Sequence, residues 1–473
     1  MGINQNFRFL SIGLPPDIER CKQHGDFTRA IRLIDRRLSG RDGDLPEALK
    51  SCLVVERELI LRIGSDYPYT RADALGIIRA DIPDFDEAEF NEMMDGLRID
   101  WIYIDGEERF FNRFYQTLIK TDAAFAARAN QLRGHVDGEE DEDEGEEKAL
   151  LDRTIERMKA NGGVSYRLRI RASVRIKDEC FKPGKVRVHL PVAAAAKQTG
   201  DIDIIALSHK PAFIAPEDAK QRTVCFEEEL KENCEFFVDY AYTNTNYYVN
   251  AYDARGDAGA PVPEEYAEFL REEQPHIVFT PYIRELVRTL TDGTDDPVEK
   301  ARKFYDVITH NVKYSYMREY FGLENIAETC ARSLRGDCGV QALLFITLCR
   351  CAGIPAKWQS ALGASPKSVG AHDRTEFYAA PYGWLYCDPS YGGGAHRAGI
   401  EERRRFYFGN LDPFRMVANR EFQADLVPDK KHWRADPYDN QTGEIEYEDR
   451  GLRYEEYVRK QVMVEHERLP LEK

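Results

Sequence analysis

The chain lacks the patterns that mark several large classes of protein. Its ten cysteines form no Cys-x-x-Cys pair and have no zinc-site spacing, which argues against a zinc ribbon or a dithiol redox site. No apolar run approaches the roughly 18 residues of a membrane-spanning segment. The N-terminus has no basic segment followed by an apolar one, as a signal peptide would. We therefore expect a soluble, cytoplasmic protein whose thiols stay reduced.

Acidic residues outnumber basic ones. Lys and Arg total 66 against 83 Asp and Glu, which gives a net charge of -17. About half of this excess lies in residues 137–147, which contain no base. An acidic surface gives no support for binding to nucleic acid or to an anionic membrane. The acidic run lacks the spaced Asp, Asn and Gly of a calcium-binding hand, and Gly392 to Gly394 lack the strand–helix context of a phosphate loop. No metal or organic cofactor is expected.

Hydrophobic periodicity predicts a helical domain at the start of the chain. Over residues 1–134 apolar side chains recur at three-to-four spacing, which is typical of amphipathic helices. Residues 97–105 alternate instead, so a winged-helix-like unit with a short hairpin is an alternative to an all-helical packing domain. The acidic stretch within residues 135–160 predicts a solvated, disordered linker.

The rest of the chain divides into three parts. Residues 161–262 contain short alternating segments, of which 164–176 is the clearest, and these predict a β-sandwich. Residues 263–427 form the candidate catalytic domain. Residues 428–473 are polar and dotted with aromatic side chains, and they either wrap back on the body or fray.

Residues 335–339 are the most informative stretch of the chain. Gly336-Asp337-Cys338 ends a loop and opens an apolar helix that runs to Cys351, where a Gly-Ile-Pro sequence beginning at Gly353 stops it. Cys338 thus lies at a helix N-terminus, where free N–H groups and the helix dipole stabilise an anion. We predict a stabilised thiolate, the reactive form of cysteine, with Asp337 as the helix cap.

Two residues follow Cys338 in the order of a catalytic triad. His372 begins a strand-like run, and Asp388 closes a second run at 383–387. A thiol transfers its proton to a neighbouring imidazole, and a carboxylate on the second ring nitrogen orients that imidazole. This order predicts Cys338 as nucleophile, His372 as base and Asp388 as the orienting acid. Asp373 would point away from His372 on an alternating strand, so it is not the expected orienting group.

These motifs resemble the transglutaminase-like superfamily. The core of that family has a Gly-Asp-Cys helix start, a histidine on the next strand, and then a Gly-Trp-x-x-x-Asp-Pro strand. Here the corresponding residues are 336–338, His372 and 383–389. Residues 348–356 and 296–316 are similar to the ending of the family's cysteine helix and to its preceding helix with a Tyr-x-Tyr turn.

The resemblance spans roughly residues 265–395 and implies an α+β fold: a papain-like transglutaminase core, preceded here by the β-sandwich and the α-helical N-terminal domain. It favours His372 over a rival base, His396, because His372 precedes the Trp-x-x-x-Asp strand. The backbone N–H of Cys338 is one expected donor to the oxyanion, and the side chain of Tyr314 or Tyr316 is a second. Trp384 either packs behind the triad strand or walls the acyl pocket.

The predicted chemistry is acyl transfer through a thioester. Cys338 attacks an amide carbonyl, His372 protonates the departing amine, and a second nucleophile resolves the acyl-enzyme. Water as that nucleophile makes a cysteine peptidase or amidase, whereas an amine makes a cross-linking transglutaminase. We predict hydrolysis of a peptide, protein or small amide, because nothing in the sequence specifies an amine site. The alternative from another class is a non-enzymatic binding or assembly protein that retains the fold.

Overall fold

The N-terminal region is helical, with one short hairpin. The computed structural model describes residues 7, 9–41, 43–132 and 142–471. The elements of this region are α1 (Pro16–Gln23), α2 (Phe27–Leu38), α3 (Glu47–Asp66), α4 (Arg71–Asp81), α5 (Glu87–Asp95), β1 (Trp101–Ile104), β2 (Glu107–Phe110), α6 (Phe114–Thr121), α7 (Ala123–Leu132) and α8 (Glu142–Asn161). The predicted helical region is confirmed, and the alternating stretch is the antiparallel β1–β2 pair.

Two four-stranded sheets form the sandwich. Their strands are β3 (Gly163–Ile176), β4 (Gly184–Pro191), β5 (Thr199–Leu207), β6 (Phe213–Ile214), β7 (Thr223–Leu230), β8 (Glu235–Tyr247), β16 (Glu444–Tyr447) and β17 (Tyr457–Leu469). One sheet has the order β17-β3-β8-β5 and the other β16-β4-β7-β6. The alternation predicted over 164–176 is present in β3, where Leu168, Ile170 and Ala172 are fully buried.

The last segment of the chain completes this sandwich. Of the two alternatives for residues 428–473, the structure has the first: the chain wraps back, with β16 paired to β4 and β17 paired to β3. Most side chains of β17 are exposed, and many are charged. Charge on an edge strand deters pairing with other molecules. Because these charged residues interrupt apolar alternation, the sequence pattern did not predict this strand.

Helix α8 occupies most of the segment that the sequence predicts as a linker. Residues 133–141 lie outside the described part of the chain, but from Glu142 onward the backbone is helical, so the expected disorder is wrong there. Ile155 and Met158 are buried, and Arg403 holds Asp152 at 2.7 Å. The acidic composition thus concealed a helix with one packed face. The boundaries between the domains stay predictions.

The remaining elements surround the candidate triad. They are α9 (Pro281–Leu290), α10 (Pro297–Asn311), β9 (Lys313–Tyr314), α11 (Ile326–Ser333), β10 (Arg335–Gly336), α12 (Cys338–Cys351), β11 (Ala356–Ala364), β12 (Val369–Ala379), β13 (Gly383–Cys387), α13 (Pro389–Arg397), α14 (Glu401–Phe406), β14 (Phe408–Gly409) and β15 (Arg415–Asn419). Strands β14, β13, β12, β11 and β15 form one antiparallel sheet in that order.

Helix α12 lies against β11 and β12 and is the centre of this part of the core. Its residues from Gly339 to Arg350 are all buried. A helix that is apolar on all sides must be covered on all sides, and here the sheet, α10, α11 and α13 cover it. The helix therefore fixes its first residue, Cys338, relative to the strands that carry His372 and precede Asp388.

Arg62 links the N-terminal region to later parts of the chain. Its side chain is 1% exposed, it pairs with Glu58 at 3.0 Å and with Glu319 at 2.5 Å, and it donates to the carbonyl oxygens of Arg434 and Ala435. Without Arg62, Glu58 keeps Arg453 at 2.5 Å, but Glu319 loses this partner and the two buried carbonyl oxygens lose their donor. Removal of one partner of a buried ion pair costs about 3–5 kcal/mol.

We expect Arg62→Met to lower the free energy of unfolding by about that amount, measured by urea denaturation. Arg57→Met is the matched control, because Arg57 lies on the same helix but pairs with Asp35 at the surface, and exposed pairs contribute only about 0–1 kcal/mol. Equal shifts of the two urea midpoints would contradict the assigned role of Arg62.

Candidate active site

Cys338 is the first residue of α12 and is partly buried. Asp337 caps the helix, since its Oδ1 accepts a hydrogen bond from the Val340 N–H at 3.1 Å. Gly339 follows because there is no room for a side chain: a Cβ at that position would lie 2.6 Å from Asp373 Oδ2 and closer still to the hydroxyl oxygen of Tyr320. The helix start and its cap are as the sequence predicts, and the need for glycine comes from the packing of Tyr320 and Asp373 against this turn.

His372 and Asp388 form a buried pair. Nε2 of His372 lies 2.7 Å from Oδ2 of Asp388, and the two side chains are 8% and 0% exposed. Asp388 is also the N-cap of α13, where its Oδ1 accepts from the Tyr391 N–H at 2.9 Å. Burial alone would raise the pKa of Asp388, but the charge and hydrogen bond of His372 hold this pKa below its usual value. The carboxylate is therefore ionised and fixed in place.

The surroundings of His372 determine the protonation state and orientation of its imidazole. Burial lowers the pKa of His372, although the Asp388 carboxylate opposes this effect. The ring is therefore neutral near pH 7. Because Nε2 faces Asp388, Nδ1 is the nitrogen left for the thiol. Tyr391 packs edge-on against the ring at 4.7 Å between centroids, and the guanidinium of Arg415 covers Tyr391.

Cys338 and His372 line the same cavity, of about 220 Å³. Its walls come from the loop after β11, the start of β12, residues around β15 and helix α8. From the N-terminal region, Lys120 of α6 and Leu150 and Leu151 of α8 also face it. Glu146 of α8 pairs with Lys367 at 2.7 Å across the rim. Elements from outside the candidate catalytic domain thus shape the space in front of the triad.

The thiol of Cys338 is directed toward Asp373. Its Sγ donates to Asp373 Oδ2 at 3.4 Å, and the Tyr320 hydroxyl lies at the same distance from that oxygen. Burial raises the pKa of Cys338 well above its usual value, and the carboxyl groups of Asp373 and Asp337 add to the effect. The prediction of a stabilised thiolate is therefore wrong for this arrangement of the site, because desolvation and two nearby carboxyls outweigh the helix dipole.

The two tyrosines proposed as oxyanion donors lie beside the nucleophile. Tyr314 lines the cavity with Cys338, and Tyr316 packs edge-on against Tyr314 at 5.6 Å between ring centroids. Cations from the N-terminal region cover both rings: the ammonium of Lys120 lies 3.9 Å from the Tyr314 centroid, and the guanidinium of Arg113 lies 3.4 Å from that of Tyr316. Burial raises the pKa of Tyr314, so its hydroxyl remains a donor.

The structure does not bring Trp384 or His396 to the thiol. Trp384 packs against Tyr266 and Phe269, under the ammonium of Lys357 at 4.2 Å. It lies four residues before Asp388 on an extended strand, about 13 Å along it. His396 is in helix α13 rather than in a loop, and its ring packs on His310 at 4.5 Å. Neither the acyl-pocket role of Trp384 nor the rival-base role of His396 fits these positions.

Sequence reasoning missed several residues around the thiol. Asp373 does point away from His372, as the alternation predicts, but this direction brings it to Cys338. Gln441 donates to Asp373 from a loop far along the chain, and Tyr320 donates to Asp337 at 2.5 Å. No local pattern marks Gln441.

Within residues 7, 9–41, 43–132 and 142–471, no three His, Cys, Asp or Glu side chains group as ligands of a metal ion would. In the same part of the chain, no helix combines the length and the apolar character needed to cross a bilayer.

Part of the chain matches a known family. Residues 284–389 match the model of the Transglutaminase-like superfamily. This segment contains Cys338, His372 and Asp388, together with α10 and α12. No curated protein matches the chain.

Solved structures also resemble the chain. A protein from Cytophaga hutchinsonii, described as a candidate cysteine protease, is 14% identical and covers 64% of this chain and 91% of its own, with a TM-score of 0.39. The periplasmic domain of TgpA from Pseudomonas aeruginosa is 13% identical and covers 53% of this chain and 96% of its own, with a TM-score of 0.30.

Proposed function

We propose that the transglutaminase-like core of this chain is a thiol-dependent acyl-transfer enzyme that acts on amide bonds, as a cysteine peptidase or amidase. The observation that carries the proposal is the buried His372–Asp388 pair, 2.7 Å apart, whose histidine lines the same cavity as Cys338. A neutral imidazole with an ionised carboxylate on its second nitrogen is the arrangement that removes a proton from a nucleophile.

The first half of the reaction forms the thioester. Rotation about the Cα–Cβ bond turns Sγ of Cys338 from Asp373 toward Nδ1 of His372, which takes the thiol proton. Sulfur then bonds to the amide carbonyl carbon, and the carbonyl oxygen becomes an oxyanion. The N–H of Cys338 at the start of α12 and the hydroxyl of Tyr314 are its donors. The C–N bond breaks, His372 gives its proton to the amine, and the acyl group stays on Cys338.

The second half restores the thiol. Water enters the place of the amine, His372 takes one of its protons, and the oxygen bonds to the thioester carbonyl carbon. The C–S bond then breaks, so that a carboxylic acid leaves and the proton returns to sulfur. Asp388 stays ionised throughout and stabilises the imidazolium in each half-reaction.

Trapping of the acyl-enzyme tests this proposal. Wild-type protein is mixed with each of a panel of peptide p-nitroanilides and quenched in acid. The mass of the intact protein is then measured by mass spectrometry. We expect an acyl adduct that maps to Cys338 and is released by hydroxylamine, as thioesters are. Cys351→Ala, at the other end of the same helix, should keep the adduct, and Cys338→Ala should lose it. An adduct that persists in Cys338→Ala would contradict the assignment.

Added alkylamine separates hydrolysis from cross-linking in the same assay. Release of carboxylic acid in its presence supports the hydrolase, whereas a predominant N-alkyl amide product identifies a transglutaminase. Absence of any acyl adduct over the whole panel would favour the binding or assembly protein. The cytoplasmic location stays a prediction, which cell fractionation tests.

A further inference from the structure

A second cavity, of about 380 Å³, adjoins the thiol. It shares Tyr314, Cys338 and Ala371 with the cavity of the triad, but it contains Asp373 instead of His372. The proposed reaction assigns no role to this space. Since Cys338 lies on both cavities, a substrate bound to the thiol has room to place a group in each.

Six carboxyl groups line the second cavity, and three of them, Asp373, Asp436 and Asp439, interact as a cluster of like charges. Asp373 comes from β12, and Asp436 and Asp439 come from the loop before β16. Burial raises the pKa of each, and so does the charge of the neighbouring aspartates on Asp373 and Asp436. In the described residues, no Lys, Arg or His nitrogen lies within 4.0 Å of these three carboxyls as an ion-pair partner.

The cavity also contains three arginines, but their contacts are elsewhere. Arg113 stacks on Tyr316, and Arg459 stacks on Tyr454 at 3.9 Å. Arg318 interacts with the charges of Asp66 and Asp100. The charge of Arg434 acts on Asp436 and Asp439, but the ion-pair partner of this arginine is Glu444. None of the three arginines that line the cavity neutralises the three clustered aspartates.

Gln441 provides an independent sign that a donor belongs in this cavity. Its side chain is 8% exposed, and its Nε2 donates to Asp373 Oδ1 and, at 3.0 Å, to Asp439 Oδ2. Since the amide nitrogen is held by two carboxyls, Oε1 is fixed as an acceptor. That oxygen is buried and has no hydrogen-bond partner among the described residues. A buried acceptor without a donor is costly, and a bound N–H group removes the cost.

We infer that this cavity binds an alkylammonium group of the substrate beside Cys338. An ammonium has three donors and a positive charge, which match the orphan Oε1 of Gln441 and the carboxyls of Asp373 and Asp439. The inference rests on the proposed function, because it takes Cys338 as the atom that receives the acyl group. It adds a substrate class: amides that carry a cationic amine close to the reacting carbonyl.

Charged thiol reagents test the cavity without a known substrate. The thiolate sulfur of Cys338 attacks the sulfenyl sulfur of a methanethiosulfonate, a disulfide forms, and methanesulfinate leaves. The rate at Cys338 is measured by peptide mass mapping for the cationic 2-aminoethyl reagent and for the neutral methyl reagent. We expect their rate ratio at Cys338 to be at least tenfold higher than at Cys21 or Cys351, which are both partly buried.

The variant Asp436→Asn/Asp439→Asn should lower this ratio at Cys338 to the value at Cys351. Asparagine keeps the acceptor that Asp436 Oδ1 offers to the N–H groups of Tyr438 and Asp439. The two single variants give the same test if the double variant is unstable. Glu147→Gln is the matched control, because Glu147 lines only the triad cavity, and it should leave the ratio unchanged.

Three results overturn the inference. If Cys338 reacts with the neutral reagent but shows no cation preference, the cavity does not bind alkylammonium, while the proposed nucleophile stands. If the preference survives in the double variant, the three aspartates are not its source. If Cys338 reacts with neither reagent while Cys21 and Cys351 do, both the cavity and the proposed function are wrong.

Discussion

Alanine in place of Cys338 is expected to lower the rate of amide turnover by about 10⁴- to 10⁶-fold. The thiol makes the covalent bond in the proposed reaction, and loss of a nucleophile usually leaves only the acceleration due to binding and the oxyanion donors. Among the described residues, no other cysteine lines either of the cavities that meet at Cys338. The measurement is kcat/KM on the fastest p-nitroanilide of the panel.

Two further variants sharpen this experiment. Cys351→Ala should retain wild-type kcat/KM, because Cys351 lies at the far end of α12 from the site. Cys338→Ser tests whether a hydroxyl replaces the thiol, and we expect it to be nearly as slow as alanine, since the serine hydroxyl is much harder to ionise. Retention of more than about a tenth of the activity in Cys338→Ala would exclude the thioester route.

Asparagine in place of Asp388 is expected to lower kcat by about 10³- to 10⁴-fold. The amide keeps an acceptor for the Tyr391 N–H at the start of α13, so the local fold remains. It cannot stabilise the imidazolium or fix the tautomer that leaves Nδ1 of His372 free, and the same substitution in a serine-protease triad has an effect of this size. The variant should therefore fold normally and turn over slowly.

The pH profile distinguishes this role from a structural one. Activity falls as the pH drops through the pKa of His372, which burial places below its usual value of 6.5. The Asp388 carboxylate raises that pKa, so its removal should move the acid limb of the residual activity to still lower pH. Asp296→Asn is the control, since Asp296-Pro297 caps α10 as Asp388-Pro389 caps α13. An unchanged acid limb in Asp388→Asn would argue against the pairing with His372.

Local patterns were sufficient where neighbouring residues determine the structure. An Asp-Pro pair such as Asp296-Pro297 marks a helix start, and the structure begins α10 at Pro297 with Asp296 as its cap. Gly353 adopts a φ of 80°, which is the left-handed turn that a helix-ending glycine provides. The strands around His372 and Asp388 follow from alternation and from the turn between them. The sequence therefore predicted which elements carry the three candidate site residues and in what order.

Long-range packing accounts for what the sequence did not reveal. The contact between Gln441 and Asp373 depends on a loop before β16 folding onto β12, and neither residue's neighbours indicate it. The wall that α8 adds to the triad cavity was hidden by the acidic composition of its first turns. In both cases the side chains come from parts of the chain that the family resemblance does not cover.

The prediction of a stabilised thiolate was wrong because burial changes the pKa of Cys338 more than the helix dipole does. A helix N-terminus stabilises a negative charge by about 0.3–1 kcal/mol, whereas burial shifts the pKa of a charged group by up to about 3–5 units, or several kcal/mol. Around Cys338 the carboxyls of Asp337 and Asp373 act in the same direction as burial. A motif identifies which atom is the nucleophile, but the surrounding charges determine when it is ionised.

The pairing of β17 with β3 means that the transglutaminase-like core is inserted within the sandwich rather than attached after it. The chain leaves the sandwich at the end of β8, builds the core, and returns through β16 and β17 to complete both sheets. Native pairs of such wide sequence separation form late in folding. A fragment cut at residue 427 would lose Asp436, Asp439 and Gln441 together with two edge strands, so the core and the sandwich are expected to unfold as one cooperative unit.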